Sequence, residues 1–306
     1  MTQSSDNLKD LYREFATIDG YFYVTEEGVF RVDTAHTSIV QYCNYENNSG
    51  TYECNDYFQL AICSVIHLLK NYKKYKLEDD KLAEYVILWL SYKLNTVKDK
   101  CDMNLNNFYT KHIEKNEYYN NIINGDDTTT YKNIIDKIKE LMDIKEISKF
   151  NDPFSILFYL YNAFHDERVN CTTNLKLANN FVQNVETLNN DSNNIKDSSF
   201  SQILSTLSDD YNNLKNKYGN KCSNIPSIPE LTPKNKPVES SAKGGEQISL
   251  QTPENTSSSS SILKTVIPVL STFFVISLFL GVAYKYSLFG FGKRSQKRYL
   301  RENIKK

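Results

Sequence analysis

Glu84-Tyr85-Val86-Ile87-Leu88-Trp89-Leu90-Ser91-Tyr92-Lys93-Leu94-Asn95 is the stretch on which the fold turns. With Leu82 just before it, Tyr85, Val86, Leu88, Trp89 and Tyr92 set large apolar side chains three and four residues apart, the period of an α-helix. So much apolar surface belongs at the centre of a helical domain. Upstream, Tyr57, Phe58, Ala61, Ile62, Val65, Ile66, Leu68, Leu69 and Tyr72 repeat the pattern, and the charged run Lys73 to Lys81 separates the two. Downstream, Leu105, Phe108, Tyr109, Ile113 and Ile122 suggest a third helix. Thr128-Thr129-Thr130 can cap a fourth that carries Ile134, Ile135, Ile138, Leu141 and Met142. Asn151-Asp152-Pro153 starts a fifth with proline in its first turn, apolar on most sides from Phe154 to Phe164. Leu175, Ala178, Phe181, Val182, Val185 and Leu188 make a sixth stripe, and Phe200, Ile203, Leu204, Leu207, Tyr211, Leu214 and Tyr218 a seventh. No segment alternates with period two for long, so the expected class is all-α, a compact helical domain over residues 1–223. The first fifty residues, through Leu11-Tyr12, Tyr21-Phe22-Tyr23 and Tyr42-Cys43, mix aromatic and polar positions without a long period.

After the helices the character of the chain changes. Pro226, Pro229, Pro233, Pro237, Gly244-Gly245, Pro253 and the serines from Ser257 to Ser261 leave almost no large apolar residues, the composition of a disordered stalk over 224–261. Within 262–284, Val266 to Tyr284 is about nineteen residues without a charge, close to the roughly twenty that cross a bilayer core of about 30 Å. The competing account is a buried core helix, but such a helix rarely lacks a polar face for five turns and then ends in Tyr284 and Tyr286 beside a cationic cluster. The tail 285–306 carries Lys285, Lys293, Arg294, Lys297, Arg298, Arg301, Lys305 and Lys306 against the single acid Glu302. That bias places the C-terminus in a cytoplasm and makes the lipid bilayer a partner, with the head on the other side as an ectodomain. Met1 to Asp6 has no apolar core or cleavage site, so no ordinary signal peptide is expected there. A tail-anchored insertion would put the head in the cytoplasm instead.

The net charge of −1 hides this asymmetry, since a basic tail leaves the rest of the chain net acidic, which disfavours nucleic acid as a partner of the head. The six cysteines, Cys43, Cys54, Cys63, Cys101, Cys171 and Cys222, all precede the span. Cysteine confined to the presumed non-cytoplasmic side reads as a disulfide framework of unresolved connectivity, with free thiols as the alternative; without any C-x-x-C, a metal site is the weakest reading.

Catalytic patterns are missing. His36, His67, His112 and His165 are scattered, with no H-E-x-x-H and no neighbour at ligand spacing. There is no G-x-S-x-G, no G-x-G-x-x-G and no phosphate-binding loop. Asp79-Asp80, Asp126-Asp127 and Asp209-Asp210 are expected as solvated charge in turns or on polar helix faces. No enzyme, no cofactor and no small-molecule substrate is expected. The sequons at Asn47, Asn170, Asn190 and Asn255 are weak signals in an asparagine-rich chain.

Glu84 to Asn95, Leu105-Asn106-Asn107-Phe108-Tyr109, Ile147-Ser148-Lys149-Phe150 before Pro153-Phe154, Ile203 to Tyr211, Pro226-Ser227-Ile228-Pro229, and above all Ala283-Tyr284-Lys285-Tyr286-Ser287-Leu288-Phe289-Gly290-Phe291 resemble the Plasmodium interspersed repeat (PIR) proteins, variant antigens of malaria parasites, and in particular their rodent-parasite members. The resemblance implies a helical ectodomain, one C-terminal span, a short basic tail, and a non-enzymatic variant antigen exported to or near the infected red-cell surface. There it would meet host cell-surface or immune proteins and serve immune evasion; the alternative is an internal parasite or vacuolar membrane protein with a remodelling or signalling role. Relatives often carry cysteines near the start and near Phe158 and Asn174; this chain has none there, so no disulfide scheme carries over.

Overall fold

The computed structural model describes residues 5–24, 30–32, 39, 54–122, 129–137, 141, 146–165 and 170–236. The helical pattern read from the apolar spacing appears as long helices: α2 (Cys54–Lys70), α3 (Asp79–Thr96), α4 (Asn151–His165), α5 (Cys171–Asn189) and α6 (Ser199–Tyr218), preceded by α1 (Ser5–Asp19). Side-chain caps start α5 and α6 where the backbone would otherwise leave donors unpaired: Asn170 accepts from Thr173 N–H, and Ser198 from Ser201 N–H. Each such cap is worth about 1 kcal/mol. Thr130 caps the short helix Tyr131–Asp136 in the same way.

α3 is buried on most sides, with Leu82, Tyr85, Val86, Leu88, Trp89 and Leu90 all fully enclosed. Burying each of these side chains contributes about 1.5–3 kcal/mol. α4 is the hub, packing against α1, α3, α5 and α6. Its Phe154 meets Phe15 of α1 edge to face at 5.2 Å, and its Tyr161 stacks on Tyr12 of α1 at 4.6 Å. Phe181 of α5 stacks on Tyr211 of α6 at the same spacing. Pairs of this geometry add about 0.5–1.5 kcal/mol beyond their buried area.

Three expectations change. The N-terminal region forms α1, whose Leu8, Leu11, Tyr12, Phe15 and Ile18 are fully buried at helical spacing. It is followed by a two-stranded antiparallel hairpin, β1 (Phe22–Val24) and β2 (Phe30–Val32), with Tyr23 opposite Arg31. The fold is therefore helical with one small hairpin, strands of three residues being too short to show a period. The stretch read as a third helix is broken into the turn Leu105–Phe108, a π-helical turn Tyr109–Ile113 and the 3-10 turn Glu117–Asn120.

The third change lies at the start of the assigned stalk. Residues 225–236 lie along the head: Ile225 is buried, Ile228 and Leu231 pack on the core, and Lys234 pairs with Ile195 in a parallel bridge. Proline content signals an extended chain and not a detached one. The remainder of 237–261, the span 262–284 and the tail 285–306 with its eight basic residues lie outside the described residues. Among the described residues no helix is long and apolar enough to cross a membrane.

Candidate functional site

Among the described residues two charged side chains, Lys93 and Asp210, are buried. Asp210 of α6, expected in solvent, is 3% exposed. One carboxylate oxygen accepts from Tyr12 Oη of α1 at 2.7 Å and Tyr85 Oη of α3 at 2.6 Å, while Tyr161 Oη of α4 donates to the Asp210 carbonyl at 2.8 Å. Four helices thus meet on one residue. Burial pushes the carboxyl up to about 7, against the opposing pull of the two tyrosine hydroxyls and of Lys81. The tyrosines are pushed up as well, chiefly by burial and then by the Asp210 charge, so they stay donors. Helical spacing places Asp210 beside Leu207 and Leu214 on the apolar face of α6, a signal present in the sequence, but it does not show which hydroxyls meet the carboxyl there.

A second polar group ties α1 to α3 and α4. Lys93 Nζ donates to Asp19 Oδ1 at 2.6 Å, Tyr159 Oη donates to Asp19 Oδ2 at 2.7 Å, and the Lys93 ammonium sits 4.1 Å from the centre of the Phe22 ring. Burial lowers the Lys93 pKa, and the Asp19 carboxylate works against that shift. The Lys93 backbone carbonyl accepts from Tyr57 Oη of α2 at 2.9 Å.

Of the six candidate cysteines, Cys54 is bridged to Cys101 and Cys171 to Cys222, with Cα separations of 5.6 and 5.4 Å. Cys63 is also disulfide-bonded, and Cys43 lies outside the described residues. The two bridges close loops of 47 and 51 residues, which in the chain-entropy account stabilise the fold by about 4 kcal/mol each.

His67 and His112, the histidines whose side chains are described, sit in separate settings, and His36 lies outside the described residues. His67 Nε2 is 2.8 Å from Glu14 Oε1, which lowers the glutamate pKa. His112 leans on the rings of Phe58 and Phe108 and is lowered by burial. Among the described residues no group of His, Cys, Asp or Glu side chains could hold a metal ion. A cavity of about 330 Å³ opens between the starts of α3 and α6, beside Lys81, Glu84 and Lys137. Its cations are held: Lys137 by Asp79 at 2.9 Å and Asp80 at 3.6 Å, Lys81 by Glu84 at 3.3 Å and by Thr206. Asp79 and Asp80, at the first turn of α3, also favour the helix dipole there.

Fold and interior together define a helical domain tied by disulfides, in which the buried ionisable side chains hold helices to one another. Comparison with known proteins gives the class a family. The family described as Plasmodium variant antigen protein Cir/Yir/Bir matches residues 12–285. A solved structure, described as that of a Plasmodium PIR protein ectodomain, is similar at 30% identity and a TM-score of 0.55, over 76% of this chain and 100% of its own. No curated protein matches. The chain belongs to the Plasmodium Cir/Yir/Bir variant antigen family, and its described part is a helical ectodomain of the PIR type.

Proposed function

We propose that this protein is a non-enzymatic variant surface antigen that displays its helical head on malaria-infected red cells, where it contacts host cell-surface or immune proteins and serves immune evasion. The observation that carries this reading is the family match, which runs from residue 12 in the head through the whole apolar segment to residue 285. The interior supports it. Asp210, Asp19 and Lys93 are engaged with partners from other helices, so the fold is held from within while outer positions are free to vary. Val266 to Tyr284 serves as the span, and Lys285, Lys293, Arg294, Lys297, Arg298, Arg301, Lys305 and Lys306 face a cytoplasm and its anionic lipid. No small-molecule substrate, cofactor or nucleic acid enters this role.

Protease treatment of intact infected cells, followed by blotting for the head, tests the proposal. Surface display requires cleavage of the head on intact cells; a head cut only after permeabilisation, with fractionation confined to the parasite and its vacuole, would replace display with an internal membrane role.

A further inference from the structure

Ile225, Ile228, Leu231 and Lys234 fall at every third residue, interleaved with Pro226, Pro229 and Pro233. Three residues per turn is the pitch of an extended polyproline-type chain, so these four positions share one edge. That edge faces the head: Ile225 is buried, Ile228 and Leu231 pack on the core, and Lys234 Nζ reaches the carbonyls of Asn190 at 3.2 Å and Asp191 at 3.1 Å. Opposite them the head reads main chain. Asn189, at the end of α5, donates from Nδ2 to the Glu230 carbonyl at 3.0 Å and accepts on Oδ1 from Thr232 N–H at 2.8 Å. Lys234 N–H donates to the Asn194 carbonyl at 2.8 Å, Lys196 N–H to the Lys234 carbonyl at 2.7 Å, and Tyr211 Oη to the Pro226 carbonyl at 2.8 Å. Main-chain hydrogen bonds with side-chain seats at regular steps are how folded domains bind extended peptides.

The root of this strap is fixed independently of the groove. Cys222 is tied covalently to Cys171 at the start of α5, and Asn224, with φ of 69°, turns the chain out of the α6 end. The strap can therefore leave its groove without unwinding α6.

We propose that the groove formed by Asn189, the 190–196 turn and α6 is an exchangeable binding site for an extended peptide of three-residue period, filled in cis by residues 225–236 and open in trans to the same segment of a second copy. Each copy carries both halves of the fitted pair, so a reciprocal exchange remakes the same bonds and needs no new contact. The short tether after Cys222 holds the cis strap at an effective concentration on the order of millimolar. Exchange is thus a property of crowded chains or of chains with a weakened strap.

The test uses the full chain in detergent and, as probe, a labelled synthetic peptide of residues 225–236. Leu231→Asp with Thr232→Pro weakens the cis strap and leaves the groove unchanged. That variant should bind the peptide roughly tenfold or more tightly than the unmodified chain, because the tethered competitor is gone. Adding Asn189→Ala should remove the binding. Equal binding by both chains, no binding by the weakened one, or binding that survives Asn189→Ala overturns the proposal. Hydrogen exchange on the unmodified chain gives a reading free of folding defects: the amides of Thr232, Lys234 and Lys196 should exchange while those of α6 stay protected, and exchange only together with α6 overturns it. For the trans occupant, Ile195→Cys with Lys234→Cys, oxidised at rising concentration, should give covalent dimers; bridges confined to single chains at every concentration sink the exchange between copies.

Discussion

Two carboxylates hold this head together, and they are compensated differently. Asp19 faces a lysine, and its pair with Lys93 is 13% and 3% exposed. Asp210 faces hydroxyls, with two tyrosine donors on one oxygen. Burial of a charge is tolerated in the first place by an opposite charge and in the second by hydrogen bonds, which compensate less. Accordingly the Asp210 carboxyl is pushed up to about 7, whereas Lys93 is pushed down by burial with Asp19 working against it. The pair is a fixed brace between α1, α3 and α4. The tyrosine site is a brace whose strength depends on a proton.

The largest effect is expected from Lys93→Met, which strands Asp19 beside Tyr159 in a largely buried site; chemical denaturation should show a loss of about 3 kcal/mol. Replacing Asp19 with Asn in the same chain should recover part of that loss, and no recovery would mean that packing and not charge sets the cost. Next comes Tyr85→Phe, which removes one of the two donors to Asp210 and should cost about 1–2 kcal/mol. Tyr12→Phe should behave alike, and the two together should deviate from additivity because they share one oxygen.

The proton dependence sharpens the contrast. The folded carboxyl of Asp210 titrates near 7 against an ordinary value of 3.8, so the folded state binds the proton more tightly. This site's contribution is greatest below the unfolded value, falls as pH rises from 4 toward 7, and levels off above it. Denaturation midpoints measured across that window should therefore drop more steeply for the unmodified chain than for Asp210→Asn, and parallel curves would show that the site does not titrate. Smallest of all is Lys137→Ala at the rim of the cavity. Its side chain is 44% exposed, and an exposed ion pair of this kind is worth less than about 1 kcal/mol.

Much of the helical part was legible. The fifth, sixth and seventh apolar stripes correspond to α4, α5 and α6, and Pro153 lies in the first turn of α4 as its fixed φ favours. α1 carries the same spacing, in Leu8, Leu11, Tyr12, Phe15 and Ile18, but its interleaved charges and the aromatic residues after it masked the period. The 105–120 stretch departs from a single helix, since apolar residues at helical distance do not show that the hydrogen bonds between them run unbroken; Asn104 and Asn116 each restart a separate turn.

The sequence by itself determined the helical class, the places where α2 to α6 run, the apolar segment and basic tail, and the family likeness, because each is written in neighbouring residues. Tertiary structure alone decided which groups meet Asp210, since Tyr85 and Tyr12 lie 125 and 198 positions away in the chain. It likewise decided which cysteines pair and that residues 225–236 lie on the head. A three-residue period can mark an edge, but only folding supplies the groove that makes the edge a contact.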